Sequence, residues 1–142
     1  MERMLFLKRV SLFRHLPLDT LLAVSRALEH GYYLAGETVF EGNAPWDHFS
    51  IVERGAVDLV NGTGPAEHLR APAYFGELVL ADEAVRSPHV VAAEDCSLLR
   101  LHRIVFRDLS RDHPEVLMEL CKLLAHQIRR GQTPAPASAS GG

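Results

Sequence analysis

Between Gly76 and His89 the chain sets an acceptor-only carboxylate, Glu77, ahead of a short apolar turn and brings back an arginine, Arg86, where a strand is about to begin. Those two residue types suit different halves of one ligand. An ionised Glu77 accepts hydrogen bonds and fits sugar hydroxyls, whereas the planar fork of Arg86 matches two phosphate oxygens. Gly76 can take φ > 0 or admit a ligand close to the backbone, and the N–H groups of Glu77 to Leu80 would open a single helical turn that favours an anion. A small ligand with a singly charged phosphate and a ribose satisfies both. The same pair also has a structural reading, a salt bridge stapling the turn to the next strand.

Catalytic chemistry fits these residues poorly. Ser87 has no histidine base and orienting acid in a recognisable motif, so no enzyme is expected. Eight histidines raise the question of a metal, but no His-x-His is present and the histidines are spread evenly; surface or capping roles are expected, with no metal and no bound cofactor. His89 directly follows the Arg86-Ser87-Pro88 stretch and would either lend positive charge to a bound phosphate or face solvent from a strand.

The elements that must position this stretch follow from periodicity. Residues 2 to 9 predict a short helix, and Leu18, Leu21, Leu22, Ser25 and Leu28 fall at helical spacing from a start near Asp19 to a stop at Gly31. From Tyr32 to Leu101 short apolar runs alternate with Gly36, Gly42, Gly55, Gly62, Gly64 and Pro72, the pattern of a mainly β sandwich or jelly roll. Trp46 is expected as a partly buried loop anchor. Arg103 to Ser110 reads as a short helix. Asp112-His113-Pro114-Glu115 reads as a capped start for a last helix running to about Arg130, with Val116, Leu117, Leu120, Leu123, Leu124 and Ile128 as its apolar stripe. Residues 1–130 are expected as one domain, and 131–142 as a disordered low-complexity tail.

Composition narrows the class. A chain of 142 residues with 47% apolar residues, 23% charged residues and a net charge of −3 is an ordinary globule, large enough to fold without disulfides and not basic enough to bind nucleic acid directly. Cys96 and Cys121 sit singly in apolar contexts and predict reduced, buried thiols in a cytoplasmic protein. No stretch approaches the roughly 20 apolar residues of a membrane span.

The residues also carry a family resemblance. Phe75-Gly76-Glu77-Leu78 followed by Arg86-Ser87 resembles the phosphate-binding cassette of cyclic nucleotide-binding domains, of the catabolite activator and protein kinase regulatory subunit type. Leu12 to Leu16, Ala35 to Gly42 and Phe49 to Val57 resemble the family's first helix and strands in the expected order. The resemblance implies a β jelly roll flanked by N-terminal helices and closed by two C-terminal helices. It implies that Glu77 takes the ribose 2′-hydroxyl of cAMP or cGMP and Arg86 the cyclic phosphate, with backbone groups near Gly76, Leu78 and Ser87 completing the cradle. The last helix would close over the base, with Leu120, Leu124 and Gln127 as candidates for reading it, and would signal to an effector domain or a second copy of the chain. No helix-turn-helix of the kind carried by the family's transcription factors is expected after it. Two positions depart from the family pattern: Val79 would crowd the phosphate, and Pro88 lacks an N–H. Weak binding is the expectation. The alternative is a fold that has lost the nucleotide and serves as an interaction or dimerisation module.

Overall fold

Strands in this chain come from apolar runs interrupted by residues that turn the backbone, and each interruption lies where a strand must reverse. Gly55 is one: it holds φ +80° between two strands, and a Cβ there would stand 2.3 Å from the carbonyl oxygen of Asp95. The computed structural model describes residues 2–60 and 64–131. Helices α1 (Glu2–Leu7) and α2 (Leu18–Ala27) precede eight strands: β1 (Glu29–Tyr33), β2 (Thr38–Phe40), β3 (His48–Arg54), β4 (Ala56–Val60), β5 (Glu67–Arg70), β6 (Ala73–Phe75), β7 (His89–Ala92) and β8 (Cys96–His102). A single 3₁₀ turn, Glu77–Leu80, separates β6 from β7, and helices α3 (Arg103–Asp112) and α4 (Glu115–Arg129) follow β8.

The strands form two four-stranded antiparallel sheets, ordered β1-β8-β3-β6 and β2-β7-β4-β5, which is a jelly roll with helices on one side. Strands β3 and β8 read as continuous apolar runs because both of their faces are covered. Val52 and Leu98 turn inward and meet Val57, Leu59, Phe75 and Val90 between the sheets. Phe49, Ile51, Leu99 and Leu101 turn the other way and meet Phe13, Leu21, Phe106 and Leu120 of the helical layer. Strict alternation along each strand produces this division. Side chains two apart share a face, so the register that pairs Val52 with Leu98 also pairs His48 with His102 on the inner face.

Several boundaries differ from expectation. Gly31 does not end α2, which stops at Ala27; it lies inside β1 opposite Leu98, where a Cβ would meet the Arg100 guanidinium at 3.1 Å. Asp112 does not cap α4, whose N-cap is Pro114 without a side-chain cap bond. The root of α4 is held instead by Thr20, whose hydroxyl bonds the Glu115 carboxylate and lies 3.0 Å from Nδ1 of His113. On α4 the stripe is narrower than predicted: Val116, Leu120 and Leu123 are buried, while Leu117 and Ile128 are exposed. Cys96 is buried, and burial pushes its thiol pKa up, but Cys121 is exposed. Trp46 is buried more deeply than a partly covered anchor. Of the turn-rich connector expected over Asn61 to Pro65, residues 61–63 lie outside the described residues, as does all of the expected 131–142 tail but Gly131. No helix among the described residues is long and apolar enough to cross a membrane.

Candidate functional site

The backbone of the cassette is shaped by one glycine against one tryptophan. Gly76 takes φ +86°, and a Cβ on it would lie 2.8 Å from the indole of Trp46. The 3₁₀ turn then closes with Val79 N–H donating to the Gly76 carbonyl at 3.1 Å, and the N–H groups of Ala81 and Asp82 donating to Leu78. Val79, whose branched side chain was expected to crowd the phosphate, turns into the interior. It is fully buried with Trp46 and Phe75 in the core between the sheets. Leu78 is half-buried against that core.

Glu77 turns toward the helical layer. It is 1% exposed, and Nε2 of Gln127 on α4 donates to its Oε1 at 3.1 Å. Tyr74 senses the same carboxylate: burial first, and the Glu77 charge second, raise its phenol pKa. Tyr74 and Gln127 also line a cavity of about 470 Å³ between α4 and the segment carrying Ser11 and Arg14, where Lys122 and Arg130 contribute positive charge. A larger hollow of about 550 Å³ lies elsewhere, at Tyr33, Glu53 and Cys96, and takes no part in the cassette.

Arg86 and Ser87 are engaged by a different element, the loop before β3. Arg86 is exposed and its Nη2 donates to the Asn43 carbonyl at 3.1 Å. Ser87 is buried: its N–H donates to Ala44, its carbonyl accepts from Asn43, and its hydroxyl donates to the Glu41 carbonyl at 2.5 Å while accepting from Ala44 N–H at 3.1 Å. His89 opens β7 with Nδ1 3.9 Å from the carboxylate of Glu41. Pro88 is buried and, having no N–H, adds no donor. Gly76, Glu77 and Leu78 are thus brought together under α4, and Arg86, Ser87 and His89 along the 41–44 loop. Asn43 and Ala44, which hold the arginine and the serine, carry no signal in the sequence beyond lying near a glycine.

The loop and the cassette are joined by Arg103 at the start of α3. Its Nε donates to the Val79 carbonyl at 2.7 Å and its Nη2 to the Trp46 carbonyl at 2.7 Å. The whole assembly is two sheets with a 3₁₀ turn and arginine between β6 and β7 and a helix over the carboxylate. The family profile described as "Cyclic nucleotide-binding domain" matches residues 31–113, more than half of the chain. The chain belongs to that family.

Relatives of this cyclic nucleotide-binding domain include the cAMP-dependent protein kinase regulatory subunit of Blastocladiella emersonii, 36% identical over 107 residues, covering 72% of this chain and 27% of the relative. A cyclic nucleotide-gated potassium channel of Rhizobium etli is 32% identical over 125 residues, covering 88% of this chain and 34% of the channel. Among solved structures, the Thermus thermophilus catabolite activator protein superposes with a TM-score of 0.74 at 31% identity, covering 85% of this chain and 59% of that one. The regulatory domain of Toxoplasma gondii PKA, crystallised with cAMP, gives 0.73 at 26% identity, covering 89% and 48%. The chain spans about a quarter of the length of the regulatory subunits it matches. At the level of the family, these are regulatory rather than catalytic domains.

Proposed function

We propose that this domain binds a cyclic nucleotide, cAMP or cGMP, weakly, in the cytoplasm, and signals through movement of α4 to an effector domain or a second copy of the chain. Glu77 takes the ribose 2′-hydroxyl and Arg86 the cyclic phosphate, with backbone groups near Gly76, Leu78 and Ser87 around them and His89 at the rim. The observation that carries this reading is the hydrogen bond from Gln127 to Glu77. A ligand shifts an equilibrium only through differential affinity for its states. A ribose hydroxyl that takes Oε1 of Glu77 competes with Gln127, so the nucleotide binds better when α4 has released the carboxylate. That competition makes binding weaker and couples it to the helix.

Weak binding also follows at the phosphate. Ser87 N–H and its hydroxyl are already committed to Ala44 and Glu41, which leaves Arg86 as the main partner. One arginine contact contributes about 1.5 to 3 kcal/mol net. Titration calorimetry of the chain with cAMP and with cGMP tests the reading: saturation in the millimolar range that disappears in Arg86→Ala supports it. A second reading has an observation of its own, since Leu117, Met118 and Ile128 are 45%, 58% and 69% exposed on α4. No heat with either nucleotide, together with a concentration-dependent dimer lost in Met118→Glu, would assign the chain to dimerisation without a ligand.

A further inference from the structure

No two histidines stand at metal-ligand spacing along the chain, yet strand register sets two of them side by side. His48 on β3 faces His102 on β8, their ring centroids 5.1 Å apart. Asp47 precedes His48, and its Oδ1 lies 3.0 Å from Nδ1 of His48 and 3.9 Å from Nδ1 of His102. One donor atom from each of the three lies within 4.8 Å of the others. Donors held at about 2.0 to 2.1 Å by a tetrahedral zinc stand roughly 3.3 Å apart, so binding would draw the donors of this set together by up to about 1.5 Å.

The surroundings prepare the donors. Glu29 on β1 lies across β8 with Oε1 2.6 Å from Nε2 of His102. A carboxylate only accepts, so Nε2 is the donor toward Glu29, and Nδ1 is the ring nitrogen on the side of Asp47. His48 is largely buried. Nε2 of His48 is buried without a hydrogen-bond partner. Among the cations near the cluster, Arg103 is committed to the Val79 and Trp46 carbonyls and Arg100 to the His30 carbonyl.

We propose that Asp47, His48 and His102 bind one zinc-class divalent transition ion, with Glu29 as the carboxylate that orients His102. Two imidazoles and one carboxylate suit zinc and its first-row neighbours, whereas magnesium and calcium take oxygen donors. A fourth position is left for water. The ion would tie the end of the loop that holds Arg86 and Ser87 to the junction of β8 and α3. This site stands whether or not the domain binds a nucleotide.

The test uses the full chain, freed of metal and carrying Cys121→Ser so that the exposed thiol cannot take zinc. Titration with zinc chloride is expected to give one ion per chain and a rise in Tm, with no rise on magnesium chloride. Cobalt in place of zinc should show visible absorption of a low-coordinate nitrogen and oxygen site. His102→Ala carries the main comparison because His102 is partly exposed and its removal leaves the interior packed; it should weaken zinc at least tenfold. Glu29→Gln should weaken zinc about 10- to 100-fold. Unchanged zinc affinity in His102→Ala, stabilisation by magnesium equal to that by zinc, or no zinc uptake would each overturn the proposal.

Discussion

The cassette from Gly76 to Ser87 and the corner made by Asp47, His48 and His102 lie on either side of the Trp46 loop, and they are built by opposite means. The cassette is contiguous: one glycine, one carboxylate and one arginine in a short stretch give its turn and its charges. The corner has no contiguous form. It exists because β3 and β8 pair in the register that places His48 against His102, and because β1 brings Glu29 alongside. A contiguous motif fixes backbone shape locally but leaves the availability of its side chains to distant elements. A cross-strand cluster has the reverse property, since its donors are positioned by the sheet and no single backbone torsion makes it.

The largest way to break this contrast is Gly76→Ala. A left-handed φ costs an L-residue about 1 to 2 kcal/mol, and a methyl 2.8 Å from a buried indole adds overpacking of about 1 to 3 kcal/mol. Urea unfolding should show a loss of about 2 to 5 kcal/mol, and nucleotide heat should vanish. The corner has no counterpart to this fault, because Asp47, His48 and His102 all hold negative φ. A loss below about 1 kcal/mol would mean that Trp46 yields and that the cassette is not locally determined.

Next comes the link between the two regions. Arg103→Met keeps the backbone bond from Arg103 N–H to the Asp47 carbonyl but removes both guanidinium bonds, to Val79 and to Trp46. Bonds from a charged donor contribute about 1.5 to 3 kcal/mol each at most, and the half-buried side chain lowers that toward a total near 2 kcal/mol. Stability and zinc affinity should fall together. If stability falls and zinc does not, the cassette and the corner are independent.

A smaller effect of opposite sign is expected at the closing helix. Gln127→Ala removes the competitor for Glu77, so calorimetry should show nucleotide affinity rising by up to about tenfold, the equivalent of one modest hydrogen bond near 1.4 kcal/mol. Weaker binding in this variant would place Gln127 among the ligand contacts instead of against them.

How much of this could be read from the chain follows the same division. Gly76 and the turn after it were legible because glycine at a positive φ and a carboxylate before an apolar turn are local facts. The jelly roll was legible from short apolar runs broken by glycine. What escaped depends on pairing. Gly31 looks like a helix stop until β1 lies against β8 and the Arg100 side chain needs its space. Val79 looks like an obstruction until the turn directs it into the core with Phe75. The bonds that Ser87 makes through its N–H and its hydroxyl come from the 41–44 loop, which no local pattern around Ser87 announces. Even spacing of histidines along the chain says nothing about two of them meeting across a ladder.

The smallest expected effect concerns the root of α4, which the cassette depends on and the corner does not. The Thr20 hydroxyl, and after it the backbone N–H of Glu115, hold the Glu115 carboxyl below its ordinary 4.5. A carboxylate with a depressed folded pKa contributes stability that is present above about 4.5 and is lost as pH falls through the folded value. Thr20→Val should therefore lower stability slightly at neutral pH and flatten the acid arm of the stability curve below pH 4.5. With its root loosened, α4 holds Glu77 less firmly, so nucleotide affinity should rise slightly while zinc affinity stays fixed. An equal change in zinc affinity would show that α4 reaches the corner as well, and would remove the separation between a site made by a motif and a site made by register.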